Sequence, residues 1–180
     1  MQGGPMLLTY WEMRLELTGQ ADLAPAPEGV VIRRAHWPGD LAAIARLYGK
    51  AFDSEPWPED WASFPGYDPQ GVLVAETAGE AIGFLVSYTR GGHGYISVVG
   101  TTPAHRRRGI ARGLILRALE RFRALGLPEA VIDVRAENTA AIRCYESVGF
   151  RKTREFVADE MCRTPKNDDA PEPPRAAPRP

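Results

Sequence analysis

The chain has 180 residues, enough for one domain whose core hides about 68–70% of the surface exposed by the unfolded chain. Its 22 Lys and Arg against 23 Asp and Glu give a formal charge of −1, which argues against a dedicated nucleic-acid binder. Cys144 and Cys162 make neither a disulfide framework nor a metal cluster, no apolar run reaches the roughly 18 residues of a membrane span, and Met1–Tyr10 does not read as a signal peptide, so a cytoplasmic protein without metal is expected.

Residues 1–12 are expected to be a flexible N-terminus, with the folded domain covering 13–163. Met13–Leu17 alternates apolar and polar residues, as a strand does, and an Ala/Pro-rich linker follows over Ala21–Gly29. Val30–Arg34 reads as a strand. Leu41, Ile44, Leu47, Tyr48, Ala51 and Phe52 recur at helical spacing within Asp40–Phe52, behind the Pro38-Gly39 stop. A shorter helix is predicted within Pro58–Phe64. Val72–Thr77 and Ala81–Thr89 flank an Ala-Gly-Glu hairpin signal, and Gly91-Gly92-His93-Gly94 turns the chain into a strand over Tyr95–Thr101. A helix starts at Ile110, with Ala111, Leu114, Ile115, Ala118, Leu119 and Phe122 on one face, and Gly126 and Pro128 stop it. The strand Ala130–Arg135, a helix from Asn138 through Val148 closed by Gly149, and a last strand over Phe150–Val157 complete the domain. From Thr164 onward six of seventeen residues are proline and large apolar residues are absent, so residues 164–180 are expected to be disordered.

The densest chemical signal is Val98–Ala111, Val-Val-Gly-Thr-Thr-Pro-Ala-His-Arg-Arg-Arg-Gly-Ile-Ala. A strand ends, the backbone turns, and the unpaired N–H groups of a helix's first turn point outward. Gly109 lets a ligand approach the backbone, and Arg106, Arg107 and Arg108 add positive charge beside the helix dipole. That arrangement suits a diphosphate. Read alone, the three arginines are equally well a solvated charge run heading a surface helix.

A second stretch decides between these readings. Arg-x-x-Gly-x-Ala at 106–111, followed by Asn-x-x-Ala-Ile-x-x-Tyr-x-x-x-Gly-Phe at 138–150, resembles the GNAT superfamily of acyl-CoA-dependent N-acetyltransferases. The resemblance covers roughly residues 30–156. It implies an α+β fold: a mixed, mainly antiparallel sheet with helices on both faces, splayed between its fourth strand (Tyr95–Thr101) and its fifth (Ala130–Arg135). The family usually closes with two strands after the Gly-Phe pair, whereas here only about fourteen residues precede the proline tail. One long strand, the Met13–Leu17 segment, or a second subunit in a homodimer could fill the place.

The resemblance also implies roles. Acetyl-CoA is the co-substrate. Its diphosphate would lie on Arg106, Arg107, Arg108, Gly109, Ile110, Ala111 and Arg112, and its pantetheine arm along Val99, Gly100 and Thr101, where a glycine suits a bulge or close backbone approach. Asn138 matches the asparagine that hydrogen-bonds the arm, and Tyr145 the tyrosine that protonates the departing thiolate; structurally they read as a helix N-cap and a half-buried core tyrosine. Asp133 stands where some members that acetylate protein N-termini carry a catalytic glutamate, and is the candidate base. Glu55, Glu59, Asp60 and His93 are its rivals. Trp57, Trp61, Phe64 and Tyr67 suit an acceptor pocket or a short helix's core. The implied activity is acetyl transfer from acetyl-CoA to a primary amine, of a small molecule or a peptide N-terminus, by direct attack in a ternary complex. The alternative is a non-catalytic acyl-CoA-binding regulatory or interaction domain.

Overall fold

The structure, a computed structural model, describes residues 7–19, 26–55 and 68–159. Seven strands form one sheet: β1 (Leu7–Glu16), β2 (Val31–Arg34), β3 (Val72–Thr77), β4 (Glu80–Arg90), β5 (His93–Thr101), β6 (Glu129–Arg135) and β7 (Arg151–Asp159). Their spatial order is β2-β3-β4-β5-β6-β1-β7, and every neighbouring pair is antiparallel except β5–β6. Three helices, α1 (Leu41–Phe52), α2 (Ile110–Ala124) and α3 (Thr139–Val148), pack against it.

The helices divide between the two faces as their apolar stripes require. Ile44, Leu47, Tyr48 and Ala51 of α1 pack on Val72, Val74, Phe84, Val86 and Val98. On the opposite face α2 lays Ile110, Leu114, Ile115, Leu119 and Phe122 over Leu85, Ile96 and Ile132, joined by Ile142 and Tyr145 of α3. Each such side chain contributes about 1.5–3 kcal/mol when fully buried. Gly94 is where α2 comes closest: a Cβ there would lie 2.3 Å from the Phe122 ring. The α+β architecture with helices on both faces is therefore as expected.

Two expectations are corrected. The N-terminal strand begins at Leu7 rather than Met13, so residues 7–12, expected to be flexible, pair with β6 on one side and β7 on the other. Adjacent aromatics hid it, because Tyr10 stacks on Phe156 from one face of the sheet while Trp11 packs against the α2–α3 core on the other. This strand lies between β6 and the last strand, β7. The second concerns Gly100, expected to mark a bulge or a close approach: the bulge lies elsewhere. The β4–β5 register skips Ser97 instead, pairing Val86 with Val98 and Ser87 with Ile96. The extra residue reverses the alternation, so Ile96 faces α2 while Val98 faces α1. Gly100 is needed for packing: a Cβ would stand 2.7 Å from Phe84 Cε1 and 3.0 Å from Ala51 Cβ. The helix predicted within Pro58–Phe64, part of the 21–29 linker and the 164–180 tail lie outside the described residues.

Candidate active site

The sheet comes apart between its only parallel pair. β5 and β6 are in register for just three residues, Gly94 with Ala130, Tyr95 with Val131 and Ile96 with Ile132. Beyond that, β5 stays paired to β4 as far as Thr101, and β6 stays paired to β1 as far as Arg135. The strands diverge while each remains anchored to its own half of the sheet. The backbone of Ser97–Thr101 thus has no described strand neighbour on its β6 side. Gly100 turns its polar groups to Phe84 of β4, which leaves those of Val99 and Thr101 facing the wedge-shaped opening.

At the mouth of this opening α2 begins. Gly109, its N-cap, has φ +77°, and Arg107 has φ +60°, so the backbone passes twice through the left-handed region before the helix starts. No side chain caps this helix, and its first helical hydrogen bond runs from Gly113 N–H to Gly109 carbonyl. The N–H groups of Ile110, Ala111 and Arg112 are consequently left for an external acceptor. The arginines are not equivalent. Arg107, Arg108 and Arg112 are exposed, whereas Arg106 donates to the carbonyl of Ala51 (2.7 Å) and ties the turn to the end of α1. Arg106 is exposed as well and keeps its charge beside the turn while bracing it.

On the α1 side of the sheet, the first β6 residue past the paired stretch is Asp133. Tyr95 donates its hydroxyl to Asp133 Oδ2 at 2.7 Å, spanning the two strands where they part. The Tyr95 ring packs against Tyr88 (centroids 5.3 Å) and lies under the Arg90 guanidinium (5.5 Å). Asp133 Oδ1 is buried without a hydrogen-bond partner. Burial pushes the Asp133 carboxyl above the usual range and the negative charge of Glu12 adds to it, while the Tyr95 hydrogen bond and the charges of Arg154 and Arg90 only partly offset this. Burial, then the charge of Asp133, raises the Tyr95 phenol well above its ordinary value. A carboxylate with one oxygen held and one bare is arranged to accept a proton from something entering the opening.

Tyr145 lies on the other face of the sheet. It is buried in the α2–α3 core, 6.3 Å from Phe150 between ring centroids, and burial raises its phenol. A phenol so placed stays protonated near neutral pH and keeps its O–H as a donor. Asn138 is exposed and accepts from Ala141 N–H through Oδ1 (3.1 Å), so it caps α3. Of the rival bases, His93 sits at the start of β5, the end away from the opening, paired to Glu129 at 2.9 Å. Glu55 is exposed beyond α1, and Glu59, Asp60 and the aromatics Trp57, Trp61, Phe64 and Tyr67 lie outside the described residues.

The sequence reading missed Tyr95, Tyr88 and Glu12. Glu12 is the direct register partner of Asp133 across β6 and β1, and is 8% exposed. It accepts from Arg14 Nε (2.9 Å) and Arg154 Nη2 (2.9 Å). Burial pushes its carboxyl up, but the two guanidiniums together hold it below the usual carboxylate range. The signal lay in the alternation Glu-Met-Arg-Leu-Glu at 12–16, which starts one residue before the predicted strand. A separate cleft of about 320 Å³ opens between α2 and β2–β4, lined by Arg33, Arg34, Gln70, Arg117 and Arg121 among others. Its arginines have partners in Asp40, Glu76, Gln70, Glu120 and Asp68, and none of its lining residues belongs to the opening.

The profile of the acetyltransferase (GNAT) family matches residues 39–150. The chain belongs to that family. A mycothiol acetyltransferase of Thermobispora bispora is 34% identical over 168 residues, 85% of this chain and 56% of the relative. Another, of Streptomyces avermitilis, is 36% identical over 152 residues, 77% of this chain and 49% of the relative. The crystal structure of a GCN5-related N-acetyltransferase from Sphaerobacter thermophilus is similar with a TM-score of 0.75 at 26% identity, over 86% of this chain and 51% of that one. The chain thus spans about half the length of the curated relatives it matches. Among the described residues no helix is long and apolar enough to cross a membrane.

Proposed function

We propose that this chain moves an acetyl group from acetyl-CoA to the neutral form of a primary amine, in the cytoplasm, with the β5–β6 opening as the place of transfer. The observation that carries the reading is the coincidence of three features at one point: free β5 backbone, the uncapped α2 turn, and a half-satisfied carboxylate. Acetyl-CoA supplies the activated thioester. The residues present fit it, because a diphosphate needs several convergent N–H donors and no Cβ in the way, and Gly109 has nothing nearer than Pro27 Cγ at 3.7 Å around the position a Cβ would take. In this reading the N–H groups of residues 107–112 hold the diphosphate, with Arg107, Arg108 and Arg112 beside them. The backbone groups of Val99 and Thr101, on either side of Gly100, pair with the pantetheine arm, which the Asn138 amide also reaches, and the Val99 N–H is the donor for the thioester oxygen.

Asp133 takes a proton from the incoming ammonium, directly or through one water, while Tyr95 fixes the carboxylate by its other oxygen. Tyr145, coming from the opposite face, gives its proton to the departing thiolate. A base and an acid on opposite faces suit a reaction whose nucleophile arrives on one side and whose leaving group departs on the other. The names of the relatives favour an enzyme over a silent acyl-CoA-binding domain, and a mycothiol-related amine is the first acceptor to try. Near pH 7.5 about a third of an α-amine is neutral, against roughly 0.1% of a lysine ε-amine. CoA release with α-amine and ε-amine acceptors tests the proposal: turnover favouring α-amines supports it. Acetyl-CoA bound but never turned over, with any acceptor, would restore the regulatory reading.

A further inference from the structure

The N-terminal strand does more than complete the sheet. It lies outside the family-matched residues 39–150, yet it sets Glu12 opposite Asp133 in the β1–β6 register. Directly opposed antiparallel residues point to the same face with Cβ atoms about 4.5–5.5 Å apart, close enough for two carboxylates to interact strongly. Such a pair is normally avoided. Here the structure retains it with unusual support for one member only: Arg14, Arg154 and the Thr153 hydroxyl (3.3 Å) all serve Glu12, while Asp133 has Tyr95 alone and one buried oxygen bare.

We propose that Glu12 is a positioning residue of the acyl-transfer site, an anion lent by the N-terminal strand that keeps Asp133 ready to receive the acceptor's proton. The inference rests on the reading of Asp133 as the base. Its logic is division of labour: two guanidiniums lock the charge on Glu12, and that fixed charge leaves the proton to its neighbour. The other groups facing Asp133 are Tyr95 from β5, Tyr88 and Arg90 from β4, and Arg154 from β7, whose positive charge opposes that of Glu12. The two neighbours therefore make opposite demands on Asp133, which gives the proposal a signature that damage to the fold cannot imitate.

The experiment is a ¹³C NMR titration of full-length protein labelled at aspartate carboxyl carbons, with the Asp133 resonance assigned by its loss in Asp133→Asn. Glu12→Gln should move the Asp133 midpoint down by about 0.5–1 in pH, and Arg154→Met should move it up, because removing a like or an opposite charge a few ångströms away acts in those directions. Glu12→Asp, which keeps the charge, should restore most of the wild-type midpoint. The acidic limb of kcat/KM, measured with L-cysteinamide and acetyl-CoA, should follow the NMR midpoint in each variant. A midpoint unmoved in Glu12→Gln, or moved the same way in both variants, overturns the role of Glu12 while leaving Asp133 as the base. Opposite NMR shifts with an unchanged rate in Asp133→Asn would instead overturn the base and leave the coupling standing.

Discussion

The two halves of the sheet are built differently. The β2–β5 half is dry on both faces: α1 covers one with Ile44, Leu47 and Tyr48, and α2 covers the other with Leu114, Ile115 and Phe122. The β6–β1–β7 half is dry only on the α2–α3 face. Its other face carries a chain of ion pairs from Arg154 through Glu12 and Arg14 to Glu129, whose carboxylate lies 2.9 Å from His93 Nδ1. The halves share three residue pairs and then separate. The difference teaches where chemistry can sit. An apolar half can cradle a neutral arm and an acyl group, a polar half can handle protons, and only their seam offers both.

The largest predicted effect tests the polar side of the seam. Asp133→Asn keeps the size and the Tyr95 contact but removes the basic oxygen, and should lower kcat/KM about 10²-fold or more near neutral pH. Raising the pH should recover part of the loss, since solvent then takes the proton. A parallel pH profile with a uniform drop would show that Asp133 only positions the acceptor. Next, Gly109→Val should raise the acetyl-CoA KM at least about tenfold, since it fills the approach to the α2 turn and is strained at φ +77°. Circular dichroism should show the fold intact; an unchanged KM removes the turn from the binding site.

Tyr145→Phe examines the opposite face. It should lower kcat about tenfold and leave the acetyl-CoA KM nearly unchanged, because the hydroxyl acts as the thiolate leaves and water replaces part of its contribution. Equal kcat with chemistry rate-limiting would return Tyr145 to the core alone. Asp133→Asn should also stabilise the protein. A carboxyl whose folded-state pKa is raised costs stability above that pKa, and the cost disappears as pH falls below the unfolded value near 4. Thermal melts should therefore show the variant ahead at pH 7–8, by about 2–4 °C for each kcal/mol relieved, and level with wild type near pH 3. The smallest effect concerns Asn138. Ala should cost about 1 kcal/mol of stability by removing the α3 cap, whereas Ser keeps the cap and isolates any contact of the amide with acetyl-CoA as a rise in KM.

Local signals made most of the fold legible. Helical periodicity placed α1, α2 and α3 within a residue or two, and the Ala-Gly-Glu and Gly-Gly signals placed β3, β4 and β5. The turn before α2 could be read because a glycine and a helix start are adjacent in sequence. What could not be read depends on register. Glu12 and Asp133 meet only because β1 inserts between β6 and β7, a pairing across more than a hundred residues that no local pattern encodes. Tyr95 read as an ordinary strand residue until the splay brought its hydroxyl to Asp133. Gly100 left a bulge and a close approach both open, because the packing of α1 that separates them is likewise a distant contact.

The central claim, that the seam between the two halves receives acetyl-CoA, is tested most directly by a crystal structure of the protein with CoA. The account predicts the diphosphate within hydrogen-bond distance of the backbone N–H groups of residues 107–112 and the pantetheine arm between β5 and β6, against Val99–Thr101. CoA seated instead in the cleft beside Arg33, Arg34 and Arg121, with the β5–β6 opening empty, would contradict it.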